Sequence, residues 1–562
     1  MQRLPESLDK EVFDIVVIGG GIYGACADWE AVTRGLSVAL LEKRDFGWST
    51  SANMHRILHG GFRYLRNADF KRIRESVRER NTMMRLAPHL TEPLPFLVPT
   101  EPSGIQHKEI MRIATKAYDV LSYGRNQGLE LSRRIPGGRI VSRDECLRLA
   151  PGLKPEGITG GAIWYDGYVS DPARLCLEFV NSAVDRGAVA TNYVKAGAFL
   201  REGSRVTGVV AEDMLTGDRF DVKGKVVLNC TGPWSEQTVK CLDQDDCYRP
   251  PRYVRSVDVV TRPLTLENHG LALMGPQDGA SGNTIRYFIA PWRGLSIIGS
   301  VDYMHDVDPD NFAVQPREIE YIIDVVNSAM PGAKLTYDDV IAVQAGLIPH
   351  DDSNPMDDPY NAARHYSIID HSDRDGIEGM FSVVGIKYTT ARDIAEKTVD
   401  RIQTSLKHRR TPSVTSTTPL HGGGIDDFNE YLARATASEL DGLDKNLTRC
   451  LVHNYGSAYI EVMELIRERP EWGEPIAAGS MVCRAQVVYA VRHEMAVKLC
   501  DVVLRRTGLG VEGYPGRDVI EAVARLMAEC LEWDKPRMEA EIDELEFELN
   551  RFWVRPKSKG AQ

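Results

Sequence analysis

The stretch from Phe13 to Lys43, FDIVVIGGGIYGACADWEAVTRGLSVALLEK, constrains the fold of this chain more than any other. It predicts a strand, a glycine turn, a helix and a second strand in immediate succession. Gly19, Gly21 and Gly24 have the G-x-G-x-x-G spacing, which lets a pyrophosphate approach the N-terminus of the following helix. Glu42 ends the second strand, where its carboxylate can accept a ribose 2′-hydroxyl. The sequence therefore predicts a dinucleotide site. The alternative, a glycine-rich turn in an ordinary α/β domain, is weaker because strand, spacing and acid occur together.

Length, charge and cysteine usage narrow the class of protein. A chain of 562 residues is too long for one compact core, so two or three domains are expected. The net charge of −12 argues against a general nucleic-acid binder. The polar start, MQRLPESLDKEVFD, offers no signal peptide, and no stretch has the ~18 apolar residues of a membrane helix. The ten cysteines lack metal-ligand spacing, which indicates reduced thiols and no metal site in a cytoplasmic protein.

Strand and helix patterns alternate up to about residue 400, as is typical of an α/β protein. A hairpin is predicted from Val206–Val210 and Phe220–Leu228. Tyr287–Pro291 and Leu295–Val301 predict a strand pair in a second, largely antiparallel sheet. Thr411–Gly424 has the composition of a linker, and the helical patterns after it, Ser480–Arg506 and Asp518–Trp533 among them, predict a C-terminal helical domain.

Two helical segments have unusual surfaces. Phe70–Leu86 is strongly basic. Ile105–Tyr123 places Ile110, Ile113, Ala117, Val120 and Leu121 on one stripe, a pattern of core packing and, less often, of docking on a membrane surface. Both interpretations stay open, and any membrane attachment is expected to be peripheral, through this stripe or the basic 71–80 region.

Several further segments together resemble one known family. They are LHGGFRYL at 58–65, YDGYVSDPARL at 165–175, NCTGPW at 229–234, FIAPWRGLSIIGSVD at 288–302, VVGIKYTTARDIAE at 383–396 and AVRHEMAVKLCDVVLRRT at 490–507. With the glycine motif, they make the chain similar to the FAD-dependent glycerol-3-phosphate dehydrogenase family along nearly its whole length. The resemblance implies non-covalently bound FAD and oxidation of a secondary alcohol, with electrons passed to a quinone at the inner face of the membrane or to another acceptor.

The resemblance also implies an architecture. We expect a Rossmann-like FAD-binding domain, a mixed-sheet substrate (cap) domain over the flavin, and a C-terminal helical domain. The expected ranges are 11–90, 155–245 and 340–405 for the FAD-binding domain, 91–154 and 246–339 for the cap, and 425–562 for the helices.

Alcohol oxidation by a flavin needs a base, a group that stabilises the reduced cofactor, and substrate anchors. In the matched segments, His59 is the candidate base because two glycines follow it, and Arg63 is the candidate anchor because its fork suits two phosphate oxygens. Lys387 precedes a helix start and would favour negative charge on the reduced ring. These three residues are the predicted catalytic set.

Further residues are expected along the cofactor and the substrate. A strand that ends in Thr-Gly-Pro brings backbone close to something flat or anionic, most simply the same dinucleotide. The predicted cofactor-binding residues are Gly19, Gly21, Gly24, Glu42, Thr50, Ser51, Arg56, Thr231, Gly232, Gly385, Lys387 and Thr389, of which Thr50, Ser51 and Arg56 rest on the resemblance alone. The predicted substrate-binding residues are Arg63, Tyr64, Asp258, Ile348 and Lys387.

Three departures from the family pattern cluster at the substrate end. Ile348 stands where the family usually has an arginine before proline, and Asp258 where it tends to have a histidine. MHR at Met54–Arg56 replaces a more usual pair of serines and a lysine. A lost cation and an added anion both disfavour a phosphate. The sequence thus leaves three functions open: oxidation of glycerol 3-phosphate or a related polyol or polyol phosphate, the same chemistry on an uncharged or cationic alcohol or amine, and flavin binding without turnover.

Overall fold

A computed structural model describes residues 1–240, 252–277, 284–305, 308–311, 313–350, 365–437 and 443–552. The strands in chain order are β1 (Val12–Ile18), β2 (Val38–Leu41), β3 (Ile57–Leu58), β4 (Thr91–Thr100), β5 (Arg139–Val141), β6 (Gly160–Val169), β7 (Val189–Thr191), β8 (Val194–Glu202), β9 (Arg205–Asp213), β10 (Arg219–Asn229), β11 (Tyr253–Thr261), β12 (Gly270–Gln277), β13 (Thr284–Trp292), β14 (Leu295–His305), β15 (Val340–Pro349), β16 (Ser367–Asp370) and β17 (Met380–Val384).

The α-helices follow the same order. They are α1 (Ile22–Thr33), α2 (Phe70–Leu86), α3 (Lys108–Leu121), α4 (Arg143–Leu149), α5 (Pro172–Val184), α6 (Ser235–Lys240), α7 (Pro316–Ala329), α8 (His371–Asp375), α9 (Ala391–Ser405), α10 (Phe428–Ala437), α11 (Lys445–Tyr455), α12 (Tyr459–Glu468), α13 (Arg484–His493), α14 (Arg517–Leu531) and α15 (Lys535–Phe552).

The first sheet contains the dinucleotide unit. Its strands run in the order β16-β17-β10-β1-β2-β7, and β9 pairs with β10 and β8. The contiguous strands from β17 to β7 are parallel. The strands β1 and β2 are apolar and buried because α1, α5 and α9 cover one face, while apolar residues of β8, β9 and β10 pack on the other. The Phe13–Lys43 prediction of strand, turn, helix and strand is confirmed, as is the hairpin of β9 and β10.

The second sheet covers the carboxyl ends of the first. Its order is β15-β11-β14-β13-β12-β4-β6-β3, with β5 on β6, and only β12 and β4 pair in parallel among its described strands. The predicted strand pair around the WRG turn is β13 and β14. An α/β fold with a mixed-sheet cap and C-terminal helices is therefore confirmed.

The predicted domain ranges stay a proposal with two observations against details of them. The expected FAD-binding domain includes Gly160–Val169 and Val340–Pro349, yet both strands hydrogen-bond within the second sheet. Which sheet a strand joins depends on partner strands that are distant in the sequence, and local periodicity does not predict those partners. The boundary at 245 and 246 and the C-terminal end at 562 lie outside the described residues.

The segment Thr411–Gly424 is not a solvated linker, contrary to its composition. Thr415 is fully buried, where its hydroxyl bonds the carboxylate of Glu30 and receives a hydrogen bond from Arg392 at 3.2 Å. The backbone N–H of Leu420 donates to the carbonyl of Leu86 at 3.1 Å. The segment is therefore anchored to the core at Thr415 and Leu420, while other residues of it are exposed.

The C-terminal helices have their own apolar core and are docked through buried charges. Arg505 and Arg506 both reach the carboxylate of Asp45, which follows the second strand of the dinucleotide unit. The predicted helical stretch Ser480–Arg506 is divided into α13 and a short helix at Asp501–Arg506, and the carboxylate of Asp501 accepts the backbone N–H groups of residues 497 and 498 between them at 2.9 Å each. The second predicted helix is α14.

The two helical segments with unusual predicted surfaces, α2 and α3, differ in which side chains they expose. In α2, Arg80 is fully buried against Asp166, so the basic pattern is partly internal. In α3, the buried face consists of Met111, Thr115 and Tyr118, whereas Ile113 and Val120 are 70% and 75% exposed. Ile110, Ile113 and Val120 of the predicted stripe therefore face outward, whereas Leu121 packs against the core. Among the described residues, no helix combines the length and apolar character needed to cross a bilayer.

Candidate functional site

A cavity of about 570 Å³ begins at the glycine turn and extends between the two sheets. Its size is in the range of small-molecule and cofactor sites. Of the predicted cofactor-binding residues, those that line it are Gly19, Gly21, Glu42, Thr50, Ser51, Thr231, Gly232, Gly385 and Lys387. The predicted substrate residues Asp258 and Ile348 line it as well. Residues that are distant from one another in the sequence thus converge on one space.

The glycine turn has the shape that a dinucleotide requires. Gly19 has φ +102°, a conformation that favours glycine. A Cβ on Gly24 would lie 1.8 Å from the carbonyl oxygen of Gly19, so only glycine lets α1 start this close to β1. Gly21 precedes α1 without capping it through a side chain, and the N–H of Ile22 donates to Ser51 Oγ at 3.0 Å. A pyrophosphate fits this helix N-terminus.

Glu42 is buried beside the turn and already has several partners. Its Oε2 accepts the N–H of Gly20 at 2.7 Å, and its Oε1 accepts the N–H of Arg44 at 2.9 Å and Nε1 of Trp48 at 3.1 Å. Burial raises the pKa of Glu42 above its usual range, and these hydrogen bonds partly offset the rise. A carboxylate has about four acceptor positions, so one remains for a ribose hydroxyl.

Two tryptophans flank this end of the cavity, and neither is among the predicted site residues. The rings of Trp48 and Trp234 lie 5.5 Å apart, and the ammonium of Lys43 lies 3.9 Å from the centroid of Trp234. Flat apolar rings beside a carboxylate and a helix N-terminus suit a nucleotide's base and sugar. The donor and acceptor set here therefore fits FAD.

Thr50 and Arg56 differ in their placement. The hydroxyl of Thr50 bonds both the N–H and the carbonyl of Leu347 at 3.2 Å, which ties the cofactor loop to the second sheet. Arg56 is buried outside the cavity lining: it lies over Trp292 at 4.1 Å and donates to the carbonyl of Ser170 at 3.0 Å. This geometry does not support the predicted contact of Arg56 with the cofactor chain, since its planar group is used in packing.

The turn at 385–389 is held by Tyr23, another residue that sequence reasoning missed. The Tyr23 hydroxyl accepts the N–H of Lys387 at 3.0 Å and donates to its carbonyl at 2.8 Å. A Cβ on Gly385 would lie 1.8 Å from the Tyr23 ring, so glycine is needed for this contact. Thr389 accepts the N–H of His59 at 3.0 Å, which connects the turn to the other predicted site segment.

The predicted catalytic residues gather around Tyr64. The ammonium of Lys387 lies 4.5 Å from the centroid of Tyr64, Arg63 donates to its hydroxyl at 3.2 Å, and the His59 ring stacks on it at 5.6 Å. Burial lowers the pKa of Lys387. For Tyr64, burial raises the pKa, but Arg63 and Lys387 outweigh it and bring it below the usual value. Of this group, only Lys387 lines the cavity.

His59 is held as a neutral imidazole. Its Nδ1 accepts the N–H of Gly61 at 2.7 Å, and its Nε2 is buried without a hydrogen-bond partner among the described residues. Burial lowers its pKa well below the ordinary value, and the charges of Arg63, Lys387 and Arg80 lower it further. This environment opposes the predicted role of His59 as a base.

A second histidine, His55, belongs to the MHR segment that departs from the family pattern, and the sequence predicts no role for it. His55 lines the cavity, and its Nδ1 lies 3.0 Å from Oδ1 of Asp258. Nearby, Asp302 accepts a hydrogen bond from Ser256, and burial raises the pKa of Asp302 to about 6, with Asp258 adding to the effect. The predicted substrate end of the cavity therefore contains the imidazole of His55 and the carboxyl group of Asp258, with that of Asp302 nearby.

Ile348 lies on β15, opposite Val254 of β11, and its half-buried side chain lines the same cavity. The hydrocarbon supplies no hydrogen-bond donor to an anion. Among the described residues, the structure contains no group of three or more His, Cys, Asp or Glu side chains arranged to hold a metal ion.

Two family models match the chain. The one described as FAD dependent oxidoreductase matches residues 14–386, and the one described as C-terminal domain of alpha-glycerophosphate oxidase matches residues 413–538. A glycerol-3-phosphate dehydrogenase of Synechocystis is 30% identical over 558 residues, which cover 96% of this chain and 97% of the relative. Glycerol-3-phosphate dehydrogenase 2 of Mycobacterium bovis is 32% identical over 542 residues, with 95% and 88% covered.

A solved structure agrees with these sequence matches. The glycerol-3-phosphate dehydrogenase of Bacillus halodurans, complexed with FAD, has a TM-score of 0.76 and 27% identity, and the match covers 99% of this chain and 98% of that one. The predicted family, fold and cofactor are confirmed. The chain therefore belongs to the FAD-dependent glycerol-3-phosphate dehydrogenase family and is an oxidoreductase that uses FAD.

Proposed function

We propose that this protein oxidises the secondary alcohol of glycerol 3-phosphate, or of a related polyol or polyol phosphate, and passes the electrons to a quinone or another acceptor. The observation that supports it most is the cluster of Arg63 and Lys387 around Tyr64, next to a cavity that begins at the dinucleotide turn. The names of the curated relatives support the same substrate. When bound, FAD supplies the acceptor for the hydride of the alcohol.

The protein's own residues divide the remaining work. The glycine turn and the N-terminus of α1 bind the pyrophosphate, and Glu42 accepts a ribose hydroxyl. The path between the two ends of the cofactor is shaped by the lining residues Thr50, Ser51, Thr231, Gly232 and Gly385, and Thr389 connects the 385–389 turn to His59. The ammonium of Lys387, held in place by Tyr23, favours negative charge where it develops during reduction. Arg63 and Lys387 anchor the anionic end of the substrate through charge-assisted hydrogen bonds.

A second substrate class has a specific observation in its favour. Ile348 offers no cation, while Asp258 places a carboxyl group in the lining of the same cavity and the buried carboxyl group of Asp302 lies near that of Asp258. An uncharged or cationic alcohol or amine meets less repulsion from these groups than a phosphate dianion does. The flavin chemistry is the same in both cases.

Steady-state kinetics with a dye as electron acceptor separates the two classes. We expect a kcat/KM for glycerol 3-phosphate at least about tenfold above that for glycerol, because phosphate contacts contribute more than about 1.4 kcal/mol. Arg63→Met should remove most of this preference while the rate on glycerol changes little. A higher kcat/KM for 3-amino-1,2-propanediol than for glycerol 3-phosphate would favour the second class and contradict the first.

We also propose peripheral contact with the cytoplasmic face of a membrane through the outward stripe of α3, at which a quinone becomes accessible. Ile110, Ile113 and Val120 are each about half exposed or more, an unusual cost for apolar side chains on one helix face. Replacement of Ile113 and Val120 by serine should release the protein from sedimenting phosphatidylglycerol vesicles. Exposed Leu131→Ser, outside this helix, is the control. Unchanged sedimentation of the double variant would rule the stripe out as the anchor.

A further inference from the structure

The two histidines of the site have opposite hydrogen-bonding patterns. The Nδ1 of His59 lies 2.7 Å from the N–H of Gly61, which can only donate. Nδ1 is therefore the unprotonated nitrogen of His59, and the neutral ring has its hydrogen on Nε2. At Nε2, His59 can donate a hydrogen bond but cannot accept a proton.

His55 has the reverse arrangement. Its Nδ1 lies 3.0 Å from Oδ1 of Asp258, and an ionised carboxylate can only accept. Nδ1 is therefore the protonated nitrogen of His55, and Nε2 has a free lone pair. A carboxylate that bonds Nδ1 fixes the imidazole in the tautomer that accepts a proton at Nε2, the arrangement found in hydrolytic triads.

The Nε2 of His55 is the second observation that indicates a ligand. It is buried and has no hydrogen-bond partner among the described residues, although the side chain lines the cavity and is only 12% exposed. A buried acceptor without a partner costs about 1–3 kcal/mol, so the site lacks a donor that a bound molecule would supply. An alcohol hydroxyl is such a donor.

The surroundings are built to admit the Asp258 carboxylate. A Cβ on Gly299 would lie 1.9 Å from Oδ1 of Asp258, so a glycine on the neighbouring strand leaves room for it. The side chain of Asp258 is 3% exposed, and the ring of Phe288 lies 6.4 Å from that of His55. A charged residue enclosed in this way needs its partner, since an unpaired buried carboxylate is costly.

We propose that His55, oriented by Asp258, accepts the hydroxyl proton of the substrate, and that His59 donates a hydrogen bond instead. The inference rests on the proposed oxidation of an alcohol. In that step the O–H bond breaks and its proton goes to Nε2 of His55, the C–H bond breaks and its hydride goes to FAD, and a C=O bond forms. The alcohol loses two electrons, which bound FAD would accept, and the carboxylate of Asp258 balances the charge of the imidazolium.

The environment of His59 agrees with this division of roles. The carboxylate of Asp166 lies 3.9 Å from its Nδ1, but burial and the charges of Arg63, Lys387 and Arg80 lower the pKa of His59 and make it a weak proton acceptor. His55 instead has an anion as its bonded neighbour, which stabilises the ring after it gains a proton.

Nitrogen NMR of the ¹⁵N-histidine-labelled, FAD-loaded protein tests the tautomers without any turnover. Signals are assigned by their loss in the His55→Gln and His59→Gln variants. We expect His55 to have its hydrogen on Nδ1 and His59 on Nε2, and we expect Asp258→Asn to shift the His55 hydrogen toward Nε2. A hydrogen on Nε2 of His55 in the wild-type protein would overturn the proposal.

Rapid anaerobic reduction by glycerol 3-phosphate or glycerol, whichever reduces the wild type, tests the role of His55. His55→Gln should slow reduction about 100-fold or more, and imidazole added to His55→Gly should restore part of the rate. His59→Gln should lose less, and His269→Gln, on a turn outside the site, should match the wild type. A His55→Gln protein that is reduced within threefold of the wild-type rate would overturn the proposal. If no polyol reduces the wild type, the proposed function is wrong. The NMR measurement of the tautomers then remains as the separate test of the His55–Asp258 arrangement.

Discussion

Gly24→Ala tests the dinucleotide turn, on which cofactor binding depends. A Cβ at this position would lie 1.8 Å from the carbonyl oxygen of Gly19, whereas ordinary contact begins at 3.4 Å. The start of α1 and the turn must therefore separate by about 1.5 Å in a close-packed region. Overpacking of this kind costs about 1–3 kcal/mol. Because FAD needs the turn and the helix in their native spacing, we expect its Kd to rise about 5- to 150-fold.

The assay is titration of apoprotein with FAD, followed by calorimetry or by quenching of the flavin fluorescence. Gly424→Ala is the matched control, because a Cβ on Gly424 meets nothing within 4 Å and the residue is exposed. We expect the control to bind FAD as the wild type does. If Gly24→Ala also binds FAD with the wild-type Kd, the close approach of turn and helix does not form the cofactor site, and the reasoning is refuted.

Three further predictions concern stability and substrate choice. Asp45→Asn removes the charge that balances two arginines of the C-terminal helices, so it should lower the free energy of unfolding in urea by about 3–5 kcal/mol. The exposed control Glu539→Gln should change this free energy by less than about 1 kcal/mol. Equal effects of the two substitutions would contradict the role of Asp45 in docking the helices. Burial opposes protonation of His421, but the hydrogen bond to Asp185 outweighs it and the pKa of His421 is raised to about 9. Protonated His421 therefore stabilises the folded state fully below the ordinary pKa of 6.5, and this stabilisation is lost as the pH rises through about 9. His421→Gln should therefore be less stable than the wild type near pH 6, by up to about 3 kcal/mol, and equal to it near pH 10; a difference independent of pH would contradict this. Ile348→Arg should lower the KM for glycerol 3-phosphate about tenfold and leave that for glycerol unchanged, and an equal change for both would contradict the placement of the anion.

The sequence predicts those parts of the fold that depend on local pattern. The glycine spacing and the two apolar strands around it define the dinucleotide unit, since each part is specified by neighbours in the chain. The membership of Gly160–Val169 in the second sheet depends on its pairing with β4, nearly 70 residues away, and no periodicity encodes that partner. The composition of Thr411–Gly424 predicts a linker. It cannot reveal the buried hydrogen bond to Glu30, because that contact forms only in the folded state.

The candidate site shows the same division. Resemblance of short segments identified Lys387 and Arg63, and the structure brings both to Tyr64. It also predicted that Arg56 contacts the cofactor, but the Arg56 side chain packs on Trp292. His55 was visible only as a departure from the pattern, because its meaning depends on a carboxylate about 200 residues away in the chain.

The central claim is that the cavity holds FAD and that the protein reduces it with a polyol. Anaerobic titration of the purified protein, monitored by flavin absorbance, measures both at once. We predict a yellow protein whose oxidised flavin bands bleach on addition of glycerol 3-phosphate or a related polyol and return with an electron acceptor. A colourless protein that does not take up FAD, or a yellow one that no polyol or amino alcohol bleaches, would contradict the account.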